Sequence, residues 1–272
     1  MTLLALLAGL AFGQVNNENL AASVAEDGLG VQLGIGGASY GGNAQLFDIR
    51  GNAAVQWRRS FAPEEGDELP PALRDRVMVK VDARYLSVSG TPFFDQRFGH
   101  ISYAHMFVPR FGVGLGVQYQ NNLLLLLRDR WTAGVGTRFV FTRGTRGDSS
   151  AGLSFLAEYE VRNVDPEGPD DRTTFTPRLV GRWSWRIVLV PDRLTWLHTV
   201  YAEPSVLDWS DLLLVDYNTL EAHVSKVVSL TADLQLRYDG NAPTGLKPLD
   251  RQLTWGLRFR WAARPDAEQV HH

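Results

Sequence analysis

The chain has 272 residues, with 27 Lys and Arg, 30 Asp and Glu, a formal net charge of −3 and no cysteine. This balance lacks the concentrated basic face of a nucleic-acid-binding protein, and the absence of cysteine excludes disulfides, thiolate metal sites and cysteine nucleophiles. Hydrophobic residues make up 44% of the chain, which suffices for an ordered fold. Past the first dozen residues no apolar run reaches the length of about 18 residues that a transmembrane helix needs.

The N-terminus has the pattern of a secretory signal. Residues 3–12 form one apolar block, and the small residues Ala11 and Gly13 precede a possible cleavage site after Gly13. The basic residues that usually precede the apolar block of a signal peptide are missing, since only the α-amino group supplies positive charge. The alternative interpretation of the apolar block is a first apolar strand or a buried helical turn. We expect a signal peptide at residues 1–13 and a polar periplasmic lead-in at residues 14–28.

The rest of the chain alternates apolar and polar residues in segments of about nine to twelve residues. The pattern is clearest in residues 229–239 and 252–261, where every second residue is apolar. Residues 98–107, 194–203 and 212–226 alternate less cleanly and are placed by spacing. Equivalent runs begin near Leu29, Phe47, Val77, Phe111, Trp131, Gly152 and Phe175, so the total is twelve strands.

The connections between these segments differ in length. Residues 163–171, 203–211 and 240–249 are long and polar, whereas Pro109-Arg110, residues 144–148, Pro191-Asp192 and Val227-Val228 are short. A chain that starts in the periplasm places its short turns there and its long loops outside, as in outer-membrane barrels. The segment from Ser60 to Arg74 is a long proline-containing insertion on the short-turn side.

A membrane barrel and a soluble β-sandwich both have one apolar face, and three observations favour the barrel. The segments exceed the average soluble strand of about 5–6 residues and match a tilted crossing of about 9–11 residues. A twelve-stranded barrel is too wide for side chains to fill from inside, so its apolar face is expected to meet lipid. Aromatic residues fall at both strand ends, typical of interfacial girdles: Trp57, Phe107, Phe111, Phe141, Trp185, Trp196 and Trp261 at one, and Tyr85, Tyr119, Trp131, Tyr159 and Tyr238 at the other.

The polar face of these strands is charged and is expected to line the lumen. Arg178, Arg182 and Arg186 share one face of a strand. Placing an arginine against lipid at the bilayer midplane costs about 2–4 kcal/mol, or about 6–12 kcal/mol for the three, so these side chains are expected to point inward. Both signs interleave on neighbouring strands, which favours cross-strand ion pairs; a selective pore with opposed charged walls is the alternative. The predicted lumen charge network is Asp48, Arg50, Lys80, Asp82, Arg84, Glu158, Glu160, Arg162, Arg178, Arg182, Arg186, Asp233, Arg237, Arg258 and Arg260.

Glycines cluster on the inward face of three predicted strands. They fit either a tight bend of the sheet or the reach of long arginines from the opposite wall. They lack the full dinucleotide-binding pattern and do not open a helix. These glycines are Gly30, Gly34 and Gly36, then Gly112, Gly114 and Gly116, and finally Gly134 and Gly136.

Catalytic patterns are weak. His100 and His105 point to opposite faces of one strand and cannot share a metal. A membrane phospholipase needs a lipid-facing Ser–His pair near the outer leaflet, whereas His105 and His198 lie toward the periplasmic ends. An outer-membrane protease needs a loop histidine, and none accompanies Asp208 and Asp211. We therefore expect no catalytic residue, metal or cofactor.

The last strand carries a recognisable pattern. Thr254-Trp255-Gly256-Leu257-Arg258-Phe259-Arg260-Trp261 resembles the barrel-assembly signal of outer-membrane proteins, with Thr254, Gly256, Phe259 and Trp261 at its defining positions. The family norm ends at the aromatic residue, whereas this chain continues through residues 262–272, which we expect to form a periplasmic tail.

The chain as a whole resembles a family of outer-membrane barrels of unknown function that includes salt-induced outer-membrane proteins. The resemblance rests on Gly41-Gly42-Asn43, on Tyr238-Asp239-Gly240-Asn241-Ala242-Pro243 and on Lys247-Pro248-Leu249-Asp250. It implies a monomeric barrel in the bacterial outer membrane and supplies no catalytic residues.

These observations predict an all-β fold, a closed antiparallel transmembrane β-barrel of twelve strands over residues 29–261. The expected function is a structural envelope component or a narrow pore or sensor for small polar solutes, without enzymatic activity. An outer-membrane hydrolase and a soluble secreted β-protein are the alternatives. The expected partners are outer-membrane lipid, the barrel-assembly machinery and small polar solutes, but no nucleic acid.

Overall fold

Twelve antiparallel strands close into a barrel in a computed structural model that describes residues 27–40, 46–62, 69, 71–88 and 91–263. Each strand pairs with its neighbours in the chain, and β1 pairs with β12 to complete the ring. This confirms the predicted fold class. The predicted signal peptide, nearly all of the lead-in, the Gly41-Gly42-Asn43 motif and the tail from residue 264 lie outside the described residues.

The strands have 11 to 18 residues, so all are long enough for a tilted membrane crossing of about 9–11 residues. A short 3₁₀ turn (Leu123–Leu125) follows the fifth strand. The strands are β1 (Gly28–Tyr40), β2 (Leu46–Ser60), β3 (Leu73–Val88), β4 (Thr91–Val108), β5 (Phe111–Asn122), β6 (Leu127–Thr142), β7 (Gly147–Arg162), β8 (Thr173–Val190), β9 (Leu194–Pro204), β10 (Leu212–His223), β11 (Val228–Asp239) and β12 (Leu249–Ala263).

The two ends of the barrel differ in their connections. At one, which we name the turn end, residues 109–110, 143–146, 191–193 and 224–227 join the strands, together with the longer segment 61–72. At the other, the loop end, the described connections are residues 123–126, 163–172, 205–211 and 240–248. No helix among the described residues is long and apolar enough to cross a membrane.

The outer face of the barrel is apolar and the inner face is polar. Outward apolar side chains such as Trp255 (73% exposed) and Val135 (64% exposed) are exposed on the outer surface, whereas the polar side chains that alternate with them are largely buried inside the barrel. A soluble β-sandwich would bury the apolar set instead, because water penalises an uninterrupted exposed apolar belt. The surface is therefore that of a transmembrane barrel.

Aromatic rings cluster on the outer face near both ends. At the loop end Tyr119 and Trp131 lie with ring centroids 4.8 Å apart, and at the turn end Phe111 and Phe139 lie at the same separation. Such belts place amphipathic rings at the two membrane–water interfaces.

Glycines on β6 allow two strands to approach closely. A Cβ atom at Gly134 would lie 2.5 Å from the Phe155 carbonyl oxygen, and one at Gly136 would lie 2.9 Å from that of Leu153. Both distances are too short for a real side chain, so the glycines permit the local curvature between β6 and β7. Of the two sequence-based explanations, the sheet bend is the one that this geometry supports.

Candidate functional site: the lumen of the barrel

All residues of the predicted charge network lie on the inner face of the barrel, where they alternate with outward apolar side chains. Several members of the network form ion pairs between neighbouring strands. On β2 and β3, Arg50 binds Asp82 at 3.1 Å and Arg84 binds Asp48 at 2.7 Å. These pairs join opposite charges across adjacent strands, as the interleaved signs in the sequence suggest.

A denser group of ion pairs lies toward the loop end on β6, β7 and β8. The Arg130 guanidinium contacts both Glu160 and Glu158, and Arg162 also contacts Glu160. Arg178 lies 3.0 Å from Glu158. Every one of these side chains is buried, so each charge depends on its partners for compensation.

Arg178 also fixes the connection between β9 and β10. Its guanidinium lies 3.1 Å from the Asp211 carboxylate and donates to the backbone carbonyls of Glu203 (3.0 Å) and Asp211 (3.2 Å). In the same loop, the Asp208 carboxylate accepts the Ser210 hydroxyl and backbone N–H, which lowers the pKa of Asp208. Both loop carboxylates therefore have structural partners.

The connection at residues 240–248 reaches over the mouth at the loop end. This connection follows β11, which lies on the opposite side of the barrel from β5 and β6. It nevertheless encloses a small space together with the turn between β5 and β6. The Asp170 carboxylate in the β7–β8 loop accepts two hydrogen bonds from Thr244, from the backbone N–H (2.9 Å) and the hydroxyl (3.1 Å). The loop-end cavity that remains has about 20 Å³ and is lined by Leu125, Leu127, Arg130, Glu160, Arg162, Arg237, Asp239, Ala242, Pro243, Leu246, Lys247 and Asp250.

A central cavity of about 200 Å³ lies below this mouth. One wall consists of β5 and β6 at their glycines, among them Gly116 and Gly134, which add no side chain to the lining. The charged lining comprises Arg76, Arg130, Arg138, Arg182, Glu158 and Glu203. A separate side cavity of about 130 Å³ lies along β1 to β3 and β10 to β12 and is lined by Arg50, Lys80, Asp82, Asp233 and Arg258, among others.

The third large lumen cavity lies at the turn end and has about 150 Å³. Five arginines line this turn-end cavity, and Asp148 is the one carboxylate among its described lining residues. Asp148 accepts a hydrogen bond from Arg186 at 2.7 Å. The cavity shares Arg76 and Arg138 with the central cavity, so the two adjoin. The arginines are Arg58, Arg76, Arg138, Arg143 and Arg186.

A histidine inside the lumen lies beside hydroxyl groups and a glutamate. His223 Nδ1 is 3.0 Å from Ser229 Oγ and 3.7 Å from Glu221, whereas its Nε2 is 3.3 Å from Thr195 Oγ1. Glu221 is compensated by Arg258 and Arg260. The 3.7 Å between His223 Nδ1 and Glu221 is longer than a hydrogen bond, and Glu221 is held by two arginines, so among the described residues no carboxylate orients the ring toward Thr195 as the acid of a catalytic triad does.

Two further histidines lie on the outer face, each beside an aspartate. His105 Nδ1 is 2.7 Å from Asp75, which also accepts the Tyr103 hydroxyl at 2.9 Å, and His198 Nε2 is 2.6 Å from Asp216. Within the described part of the chain, no serine or threonine hydroxyl is hydrogen-bonded to either ring. The described residues also contain no cluster of three or more His, Asp or Glu suited to a metal ion.

The sequence-based network omits several charged residues that face the lumen. Arg58 lies in the polar register of Arg50, Arg76 in that of Lys80, and Arg138 in that of Gly136, so period-two counting along each strand would have included them. Glu203 and Glu221 lie on β9 and β10, where Leu197, Leu213, Val215 and Tyr217 also face inward and obscure the alternation.

Among curated proteins, none matches this sequence. Three solved structures illustrate its likeness in fold. The NanC porin has 10% identity and a TM-score of 0.46, with 86% of this chain and 100% of that chain covered. The KdgM porin has 7% identity and a TM-score of 0.43, with 86% and 99% covered. The translocator domain of the autotransporter NalP from Neisseria meningitidis has 11% identity and a TM-score of 0.40, with 87% and 89% covered.

A likeness at these identities concerns the fold alone. The family comparison goes further, since a sequence model described as "Protein of unknown function, DUF481" matches residues 72–261, from just before β3 to near the end of β12. That span is well over half of the chain, and it confirms the resemblance to a family of unknown function. The chain therefore belongs to the DUF481 family.

Proposed function

We propose that the protein is a narrow pore for small polar solutes in the bacterial outer membrane, with its turn end in the periplasm and its loop end outside. The observation that carries this proposal is the succession of polar cavities along the lumen. The turn-end cavity shares Arg76 and Arg138 with the central cavity, and the central cavity shares Arg130 with the loop-end cavity. A solute would follow this order through the barrel.

The outer surface supports the membrane location. Apolar side chains cover the barrel between two aromatic belts, as in barrels whose outward residues meet hydrocarbon. Export through a signal peptide at residues 1–13 and insertion by the barrel-assembly machinery, guided by Thr254, Gly256, Phe259 and Trp261, belong to the same proposal. Of these four, Phe259 and Trp261 project outward, whereas Thr254 and Gly256 project inward.

The arrangement of the histidines argues against a hydrolase. Neither outer-face histidine contacts a serine or threonine hydroxyl among the described residues, so a lipid-facing nucleophile has no base in hydrogen-bonding reach. In the lumen, the Thr195 hydroxyl lies 3.3 Å from His223 Nε2, but Glu221 is 3.7 Å from Nδ1 and is paired with Arg258 and Arg260, so it does not orient the ring. We therefore propose a barrel without catalytic residues.

The smallest of the three cavities on this route is the loop-end cavity, whose volume of about 20 Å³ admits about one water molecule. The closure depends on residues 240–248 and on their hydrogen bonds to Asp170. These bonds are exposed, and a typical hydrogen bond contributes about 0.5–1.5 kcal/mol. Their loss should therefore raise the population of open pores several-fold without unfolding the barrel.

Planar-bilayer recording of the purified, folded barrel tests this proposal. We expect small, infrequent conductance steps for the native chain and steps several-fold more frequent for Asp170→Ala. Asp165→Ala is the matched control, because Asp165 lies in the same loop and its carboxylate accepts a local hydrogen bond from the backbone N–H of Glu167 instead of one from residues 240–248. Absence of conductance in the native chain and in Asp170→Ala alike would overturn the pore and leave a structural barrel.

A further inference from the structure

We infer that the turn-end cavity is a binding site for a small solute with two or more negative charges, carried by carboxylate or phosphate groups. This inference rests on the proposed function, because it names the class of polar solute that the lumen would receive. The site is defined by Arg58, Arg76, Arg138, Arg143 and Arg186.

The charge of the cavity is the first argument. Five arginines and one carboxylate, Asp148, line the cavity among the described residues, so its lining is net positive; Arg76 and Arg138 also line the central cavity, to which Glu158 and Glu203 contribute. Asp27 lies 3.8 Å from Arg58 Nε with its side chain 45% exposed and offsets at most one of the positive charges. The arginines repel each other in this partly enclosed space. An anion that enters is attracted by all of them and reduces their mutual repulsion.

The chemistry and placement of the side chains are the second argument. A guanidinium presents a planar fork of N–H donors that matches the oxygens of a carboxylate or phosphate. The five arginines project from β2, β3, β6, β8 and the turn at residues 143–146. An anion would therefore be approached from several sides, which favours more than one negatively charged group.

The size of the cavity is the third argument. Its volume of about 150 Å³ is about ten times the 10–15 Å³ that admits a single water molecule. It therefore has room for a solute of several non-hydrogen atoms. Ser150 and Ser184 add hydroxyl groups to the lining, and Met106 and Leu197 add apolar surface. A small dicarboxylate or a phosphate monoester has matching size and polarity.

Calorimetric titration of the folded barrel in detergent tests the site, with succinate and inorganic phosphate as probes and glycerol as the uncharged reference. We expect saturable binding of at least one anion and none of glycerol. Arg138→Gln should weaken anion binding at least tenfold, and Arg138→Gln combined with Arg143→Gln should weaken it further. Arg193→Gln is the matched control, because Arg193 is an exposed arginine in a turn at the same end that does not line the cavity.

The outcomes separate the site from the pore. Binding of succinate alone assigns a carboxylate ligand, and binding of phosphate alone assigns a phosphate ligand. Absence of saturable binding, or equal affinity in the native chain and in both cavity variants, overturns the site. The folded state of each variant is checked by its resistance to dodecyl sulfate on a gel, and Arg58→Gln replaces any variant that fails this check. Anion binding without conductance would overturn the pore while leaving the site intact.

Discussion

At the loop end of the lumen each buried arginine of the β6–β8 group lies beside a carboxylate, whereas at the turn end five arginines line one cavity with Asp148 as the one carboxylate among its described lining residues. The spaces that remain differ accordingly, with about 20 Å³ at the loop end and about 150 Å³ at the turn end. Opposite charges can pack in contact and fill a lumen, but like charges keep apart. The same residue type thus closes one end and keeps the other open.

The largest effect is expected from breaking the balance at the loop end. Glu160→Gln removes the carboxylate that Arg130 and Arg162 share in a buried position. Removing one partner of a buried ion pair costs about 3–5 kcal/mol, so the free energy of unfolding should fall by about that amount. Denaturant unfolding of the barrel in lipid vesicles measures it. Glu167→Gln, in an exposed loop, is the control, and equal stability of the two variants would contradict the assigned role of Glu160.

Salt should distinguish the two ends. Mobile ions screen accessible charges and affect buried pairs much less. Raising the ionic strength from about 0.05 M to about 0.5 M, which shortens the screening length severalfold, should weaken succinate or phosphate binding at the turn end about tenfold. The free energy of unfolding lost in Glu160→Gln should stay nearly constant over the same range. Calorimetry and denaturant titration at each salt concentration test this, and anion binding that is independent of salt would contradict a charge-driven site.

The smallest effect is expected from Asp148→Asn, which removes the one carboxylate among the described lining residues of the turn-end cavity. Because Asp148 and Arg186 are partly exposed, stability should change by at most about 1 kcal/mol. Anion affinity should rise about threefold, since the positive excess grows by one charge. Asp192→Asn, in an exposed turn at the same end, is the control for calorimetry. A decrease in anion affinity would show that Asp148 positions the arginines rather than opposing the ligand.

The strand pattern was readable from the sequence where one face is apolar and the other is charged. β11 and β12 follow their predicted bounds closely for this reason, and the twelve strands were counted correctly. β9 and β10 were placed by spacing alone, because they turn Leu197, Val215 and Tyr217 into the lumen as well as apolar residues outward. Spacing predicts a segment over residues 212–226, whereas the corresponding strand, β10, ends at His223.

The candidate site was harder to predict than the fold. Alternation assigns a side chain to the inner face, but it does not say which inner residues meet across the barrel. The sharing of Arg76 and Arg138 by two cavities depends on how strands far apart in the chain curve toward each other. The closure by residues 240–248 depends equally on a distant contact, between Thr244 and Asp170. Neither the shared arginines nor the contact between Thr244 and Asp170 produces a periodic pattern in the sequence.

The absence of cysteine from the chain allows the difference between the two ends to be measured directly. Ser150→Cys places a single thiol in the turn-end cavity, and Leu246→Cys places one in the loop-end cavity. Their rates of reaction with an anionic and a cationic thiosulfonate of equal size report the local potential. We predict that the thiol at position 150 reacts at least tenfold faster with the anionic reagent, while that at position 246 shows little preference. Equal rates at position 150, or a preference there for the cationic reagent, would contradict a cationic turn end.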